Sequence, residues 1–264
     1  GFSGTPLAQG QVLSYYDSQG NQLASGTIAA VDGDKIFING KSLGFQLPAE
    51  QNGKTIQAIG DAKLNTTTKK FGSASLQLDG VGDAAKVNTN ADFGFGTGDF
   101  TIDFWAYPNA VQTTSLIDMR NNVSVENALY FYVANNVPKV YVNGSDIITG
   151  SQGFNLSTWT HCEIVRSSGT ITVYINGSSV GSASASADFA NAKPLVIGNN
   201  YGNTNGWNGY IDGLRVYKGQ ALHTGNFTAP TTEAVGNANT KLVANFNGNN
   251  ASTTFLDTNL IAQD

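Results

Sequence analysis

The chain has 264 residues, a formal net charge of −5 and only 12% charged side chains, about half the usual ~25%. It lacks the basic excess that a nucleic-acid binder needs, and it has no apolar run of about 18 residues to cross a membrane. Its one cysteine, Cys162, excludes an intrachain disulfide framework.

Alternating apolar residues predict strands in VLSYY, TIAAV, KIFI, LQL, FTIDFWAY, ALYFYV, KVYV, CEIVR, TITVYI, LVIG, YIDGLRVY and KLVANF. Asp32-Gly33, Asn39-Gly40, Asn143-Gly144 and Asn176-Gly177 punctuate them. Such pairs accept φ > 0 and favour two-residue hairpin turns. No segment sustains a helical period, though a short helical turn fits near 218–223. The chain reads as all-β. Its opening, GFSGTPLAQGQ, lacks the basic start and apolar core of a signal peptide.

Three regions are expected. Residues 1–57 form a small β unit, with Ile36 and Ile38 on one face and Lys35 and Phe37 on the other. So short a piece makes a marginal core, so it is expected to anchor on the main domain or on another subunit. Residues 58–232 form a large sandwich, within which SASASADFANA at 182–192 reads as a surface connection. Residues 233–264 are a polar linker plus an extra strand. That strand is either an edge or donated strand, or the start of a truncated repeat.

Site chemistry is sparse. Glycosidases need two carboxylates about 5–9.5 Å apart, and on one strand that requires alternate acids. Here Asp103, Glu126, Glu163 and Asp212 sit singly, and the only histidines are His161 and His223. The expectation is a protein that is not an enzyme. Asp212 has two readings. It binds a structural Ca²⁺ with Asp79, Asp83 and backbone carbonyls, or it accepts backbone N–H bonds as a buried acid must. In the loop GNNYGNTNG, Tyr201 is a candidate sugar platform, with Asn199, Asn200, Asn203 and Asn205 as hydrogen-bonding partners. The competing reading is an ordinary Asn/Gly turn. Trp105 and Trp159 are expected in the core, Trp207 in the core or at its rim, and Lys69-Lys70 on an exposed loop.

Five pieces from about 58 to 230 occur in a familiar order: FGSASLQLDGVGDAAKV, GTGDFTIDFWAYP, WTHCEIVRSSGTITVYINGSSVG, LVIGNN and WNGYIDGLRVYKGQAL. Together they resemble the laminin-G-like, concanavalin-A-like jelly rolls, especially those of bacteriophage structural proteins. The resemblance implies an antiparallel β-sandwich in which His161 is structural. It also implies a virion surface protein made in the host cytoplasm, serving in tail or fibre adhesion or in head decoration. Its implied partners are other virion subunits, copies of itself in a homo-oligomer, and host-surface polysaccharide. The alternative is a bacterial secreted or cell-surface carbohydrate-binding lectin. The superfamily spans lectins, adhesion modules, structural caps and enzyme-attached domains, so fold does not fix ligand.

Overall fold

The computed structural model describes the backbone of 12–16, 22–32 and 35–39, and residues 53–121 and 125–259. The chain divides into two compact units, Gly1–Asn52 and Gly53–Asp264. The first contains β1 (Val12–Tyr16), β2 (Gln22–Asp32) and β3 (Lys35–Asn39), an antiparallel sheet in that order. The facing expected for Ile36, Ile38, Lys35 and Phe37 lies outside the described side chains, and Gly33 and Gly40 lie outside the described residues.

The second unit begins with β4 (Gln57–Ile59), β5 (Lys63–Asn65), β6 (Ser75–Asp79), β7 (Ala84–Asn90) and β8 (Phe100–Pro108). It continues through β9 (Thr114–Asp118), β10 (Tyr130–Ala134), β11 (Val137–Val142), β12 (Ser145–Thr149) and β13 (Thr160–Ser167). It ends with β14 (Thr170–Ile175), β15 (Ser178–Ser184), β16 (Lys193–Ile197), β17 (Asn208–Lys218) and β18 (Thr240–Ala244). One sheet runs β12-β11-β10-β9-β16-β7-β4. The other runs β15-β14-β13-β8-β17-β6-β5, with β18 also on β17. All pairings are antiparallel.

The period of two explains the core. On β8, Phe100, Ile102, Phe104 and Ala106 face the opposite sheet and are fully buried. Phe104 meets Phe131 of β10 edge-on, ring centroids 6.1 Å apart. The intervening Thr101, Asp103 and Trp105 face away, yet they too are buried, because a later segment covers that face. Four hairpins close through two-residue turns with φ > 0 at both positions: Asn135-Asn136, Asn143-Gly144, Ser168-Gly169 and Asn176-Gly177. That is type I′ geometry, matched to strand twist.

Several sequence expectations change. Trp159 is half-buried against Tyr107 at the rim rather than in the core. The 182–192 tract is partly β15, and its Phe189 is buried beside Phe100. Arg166, fully buried, donates to the carbonyls of Gly96, Gly98 and Ala187, tying this tract to the loop before β8. Lys70 is more than a solvated charge: its ammonium lies 3.9 Å from the Trp105 ring centroid.

The tail belongs to the sandwich. β18 pairs with Leu214–Tyr217 of β17. Leu64 N–H donates to Ser252 O, and Ala251 N–H donates to Leu64 O. Phe255 bridges Ile56 and packs on Phe246. The tail therefore caps free edges within its own chain, and the division of the chain falls at 52/53 rather than at 57/58. A fragment 53–259 should melt cooperatively near the temperature of the intact second unit. A fragment 58–232, stripped of these strands, should lose cooperative unfolding by calorimetry. Phe255→Ala should cost about 3 kcal/mol in denaturant unfolding, as typical of a buried Phe.

Candidate functional site

Three polar groupings stand out on the second unit. The first lies on the outer face of the β17-containing sheet. Strand register sets Glu163 of β13 opposite Asp103 of β8, and Arg215 of β17 on the other side of Asp103. The Arg215 guanidinium donates to both Asp103 oxygens, and His161 Nε2 lies 3.3 Å from Asp103 Oδ2. The sequence placed these two acids singly; pairing across strands brings them together. The arrangement is closed, however. Residues 219–239 cross above it, with His223 Nδ1 2.9 Å from both Glu163 oxygens. His223 stacks flat on Phe227 at 3.6 Å, and Phe227 packs edge-on against His161 and Tyr174. Gly177 lets this strap pass: a Cβ there would lie 1.9 Å from Phe227 O.

Burial, reinforced by the charge on Asp103, pushes Glu163 up to about 8. Burial also lowers His223. Asp103 goes the other way: burial would raise it, but the His161 hydrogen bond and the Arg215 charge hold it below the usual carboxylate range. At neutral pH the network is therefore Asp103⁻ with Arg215⁺, beside a protonated Glu163 donating to a neutral His223. Glu163 holds its proton more tightly folded than unfolded. Its contribution is complete below its unfolded value and is lost as pH rises through about 8. Stability should fall from about pH 5 to 9, by up to ~1.4 kcal/mol per pH unit for one group. Glu163→Gln keeps a donor for His223 and removes the titration, so its melting temperature should vary less over that range.

The second grouping is acidic. Asp61, Asp79 and Asp83 bring carboxylate oxygens within 4.8 Å of one another. Asp83 holds its turn by accepting the N–H groups of Asp61 and Asp79 at 2.8 and 3.0 Å. Oxygen-only donors suit a hard cation such as Ca²⁺, and three carboxylates supply part of the six to eight ligands it takes. Asp212 is not among them. Asn208, four positions earlier on β17, faces Asp79, which leaves Asp212 about 13 Å along the strand. There its Oδ2 accepts Lys70 N–H and Phe71 N–H at 2.8 and 3.1 Å. Burial pushes it up to about 7. The backbone-acceptor reading of Asp212 is the one that the structure displays, and Asp61, which the sequence did not single out, stands beside Asp79 and Asp83 where Asp212 was expected.

The third grouping joins the 199–205 loop to the outer face of the β9–β12 strands. Most of the loop's asparagines are spent on its own shape. Asn199, fully buried, accepts Asn200 N–H and Asn205 N–H and donates to Asp83 O and Asn203. Asn200 caps Thr204, Asn203 donates to Gly82 O, and Asn205 reaches Ser115 and Tyr130. Tyr201 differs. Its N–H donates to Asp118 Oδ2 at 3.0 Å, and its half-buried ring lies 4.8 Å from the Arg120 guanidinium. Arg120 is pinned by Asp118 through Nε and Nη2, at 2.9 and 2.7 Å. It lies 3.8 Å over the Tyr130 ring and 5.6 Å from Tyr141. The sequence singles out Tyr201 and not Arg120, Tyr130 or Tyr141, which the structure gathers around it. The available signal was tyrosine at the outward positions of alternating strands, in ALYFYV and KVYV.

Residues 79–226, more than half the chain, match a laminin-G-type family model described as the concanavalin A-like lectin/glucanases superfamily. No curated protein matches the sequence. Among solved structures, one likeness is domain 4 of AbnA, an extracellular arabinanase from Geobacillus stearothermophilus, in complex with arabinotriose. It is 18% identical, with a TM-score of 0.46, covering 81% of this chain and 94% of that one. Another is the botulinum neurotoxin serotype D/C binding domain, 12% identical with a TM-score of 0.50, covering 76% of this chain and 50% of that one. Domains LG4-5 of the mouse laminin α1 chain are 16% identical with a TM-score of 0.44, covering 62% of this chain and 47% of that one. This chain thus spans about half the length of the laminin and neurotoxin chains. At such identities these likenesses speak to the fold alone.

Proposed function

Because this chain belongs to the concanavalin A-like lectin/glucanases superfamily, we propose that it is a non-enzymatic glycan-binding module displayed on a bacteriophage virion surface. The observation that carries glycan binding is the Arg120 guanidinium held among the rings of Tyr130, Tyr141 and Tyr201. A pyranose has an apolar face and a polar rim, so it suits an aromatic frame with a fixed donor. Binding is preferred to hydrolysis because the facing acids Asp103 and Glu163 are enclosed beneath 219–239. The virion placement rests on the order of the five sequence pieces. In the same reading, the small N-terminal sheet contacts other virion subunits, copies of the chain associate with one another, and the ligand is host-surface polysaccharide.

Tyr201→Ala and Tyr141→Ala should each weaken glycan binding about tenfold, the worth of roughly 1–1.5 kcal/mol of ring contact, with melting temperature unchanged. Titration calorimetry against the best ligand from a glycan array measures this. Loss of neither ring mattering would overturn the location, and no binding to any glycan would overturn the function.

A structural Ca²⁺ on Asp61, Asp79 and Asp83 is part of this reading. Millimolar Ca²⁺ should raise the melting temperature by a few degrees, as a ligand of the native state does. Asp61→Ala should abolish the rise. An unchanged melting temperature with Ca²⁺ would remove the metal.

A further inference from the structure

We infer that the ligand is an uncharged oligosaccharide longer than one ring, lying across β9 to β12 from the Arg120 frame to a second subsite at Tyr132. This rests on the glycan-binding reading and specifies its ligand.

Charge bookkeeping gives the first argument. The ions next to the tyrosines face their opposites: Arg120 faces Asp118, Lys139 faces Asp146 at 2.9 Å, and Lys193 faces Glu126, and Lys86 lies two strands beyond Asp118 in the same row, on β7. Between β9 and β12 an anionic sugar would meet paired charges, and the chain as a whole carries −5. An acidic ligand therefore gains little there, whereas hydroxyl groups gain hydrogen bonds.

Unused hydrogen-bonding capacity gives the second. Arg120 Nη1, Tyr141 Oη and Tyr201 Oη make no hydrogen bond among the described residues; Tyr141 and Tyr201 are half-buried, and Arg120 is buried behind them. Tyr132 Oη donates to Asp146, which also accepts from Lys139 Nζ. A carboxylate offers about four acceptor positions and an ammonium three donors. Both groups thus keep capacity for a sugar hydroxyl, and both are partly exposed.

Geometry gives the third. Asp118, Tyr130, Tyr141 and Asp146 stand opposite one another across four adjacent strands. Three strand spacings of about 4.8 Å make a row of about 14 Å, more than one pyranose ring covers. The Tyr132 ring stacks on Tyr130 with centroids 5.0 Å apart and planes 10° from parallel. It extends the aromatic surface in the second row, beside Lys139.

The test uses the full chain on an array of neutral oligosaccharides of graded length, beside matched uronic and sialic acid oligomers. The expected result is neutral ligands preferred and affinity rising about tenfold or more from monosaccharide to trisaccharide. Binding should change less than about twofold between low and high salt, since no net charge is neutralised. Tyr132→Ala should erase the gain with length. Tyr132→Phe, which keeps the ring, should retain most of the gain and controls for folding. Preference for acidic oligomers with strong salt dependence would overturn the inference and leave glycan binding standing. So would Tyr132→Ala binding like the parent. No glycan bound at all would overturn both.

Discussion

The sandwich depends on one irregularity, the bulge in β17. This strand runs beside β8 for its full length, but its other neighbour changes. β6 pairs with Asn208–Ile211, and β18 pairs with Leu214–Tyr217. Between the two, the register shifts from Asp212 to Arg215, and Gly213 takes φ +57. A residue with a Cβ is strained there, and an added residue bends and twists the strand. Asp212 sits at the bend and spends its carboxylate on the Lys70 and Phe71 amides. The bulge thus lets the C-terminal strand enter the sheet after β6 leaves it. The same tail then covers β5 and reaches Ile56 through Phe255. Edges that would otherwise recruit another chain are closed from within.

The two sheets use their outer faces oppositely. One carries titratable groups and buries them under 219–239. There Asp103 is paired with Arg215, and Glu163 holds its proton beside His223, as a low-dielectric site demands. The other carries tyrosines and leaves them partly open. Beside them Arg120 is paired with Asp118 and Lys139 with Asp146, and Lys139 and Asp146 are partly exposed. The facing acids Asp103 and Glu163 are thus covered, while the outer face of the other sheet presents half-buried tyrosines.

Local signals were legible in the sequence; register was not. Asn143-Gly144 and Asn176-Gly177 mark their hairpins directly, because few residue pairs accept φ > 0 twice. Asn135-Asn136 and Ser168-Gly169 do the same with weaker signatures. The laminin-G-like order of strands was visible from five short pieces. Cross-strand partnerships were hidden. Asp103 and Glu163 are far apart in the chain and meet only through the β8–β13 register. Asp61 joins Asp79 and Asp83 through a turn that no spacing announces. Asp212 kept two readings, metal ligand and backbone acceptor, because a lone acid among apolar residues does not say which amides lie opposite it. Tyr201 stood out as an aromatic in an Asn/Gly loop. Its partner Arg120 was overlooked because it follows a strand in which nothing but its neighbour Asp118 signals a fixed guanidinium.

The most direct measurement is chemical-shift mapping of the full chain by NMR while a neutral trisaccharide is added. Shifts confined to Tyr130, Tyr132, Tyr141, Tyr201 and Arg120 are the predicted result. Shifts centred on the turn of Asp79 and Asp83, or on the strap over Glu163, would contradict the placement of the binding face.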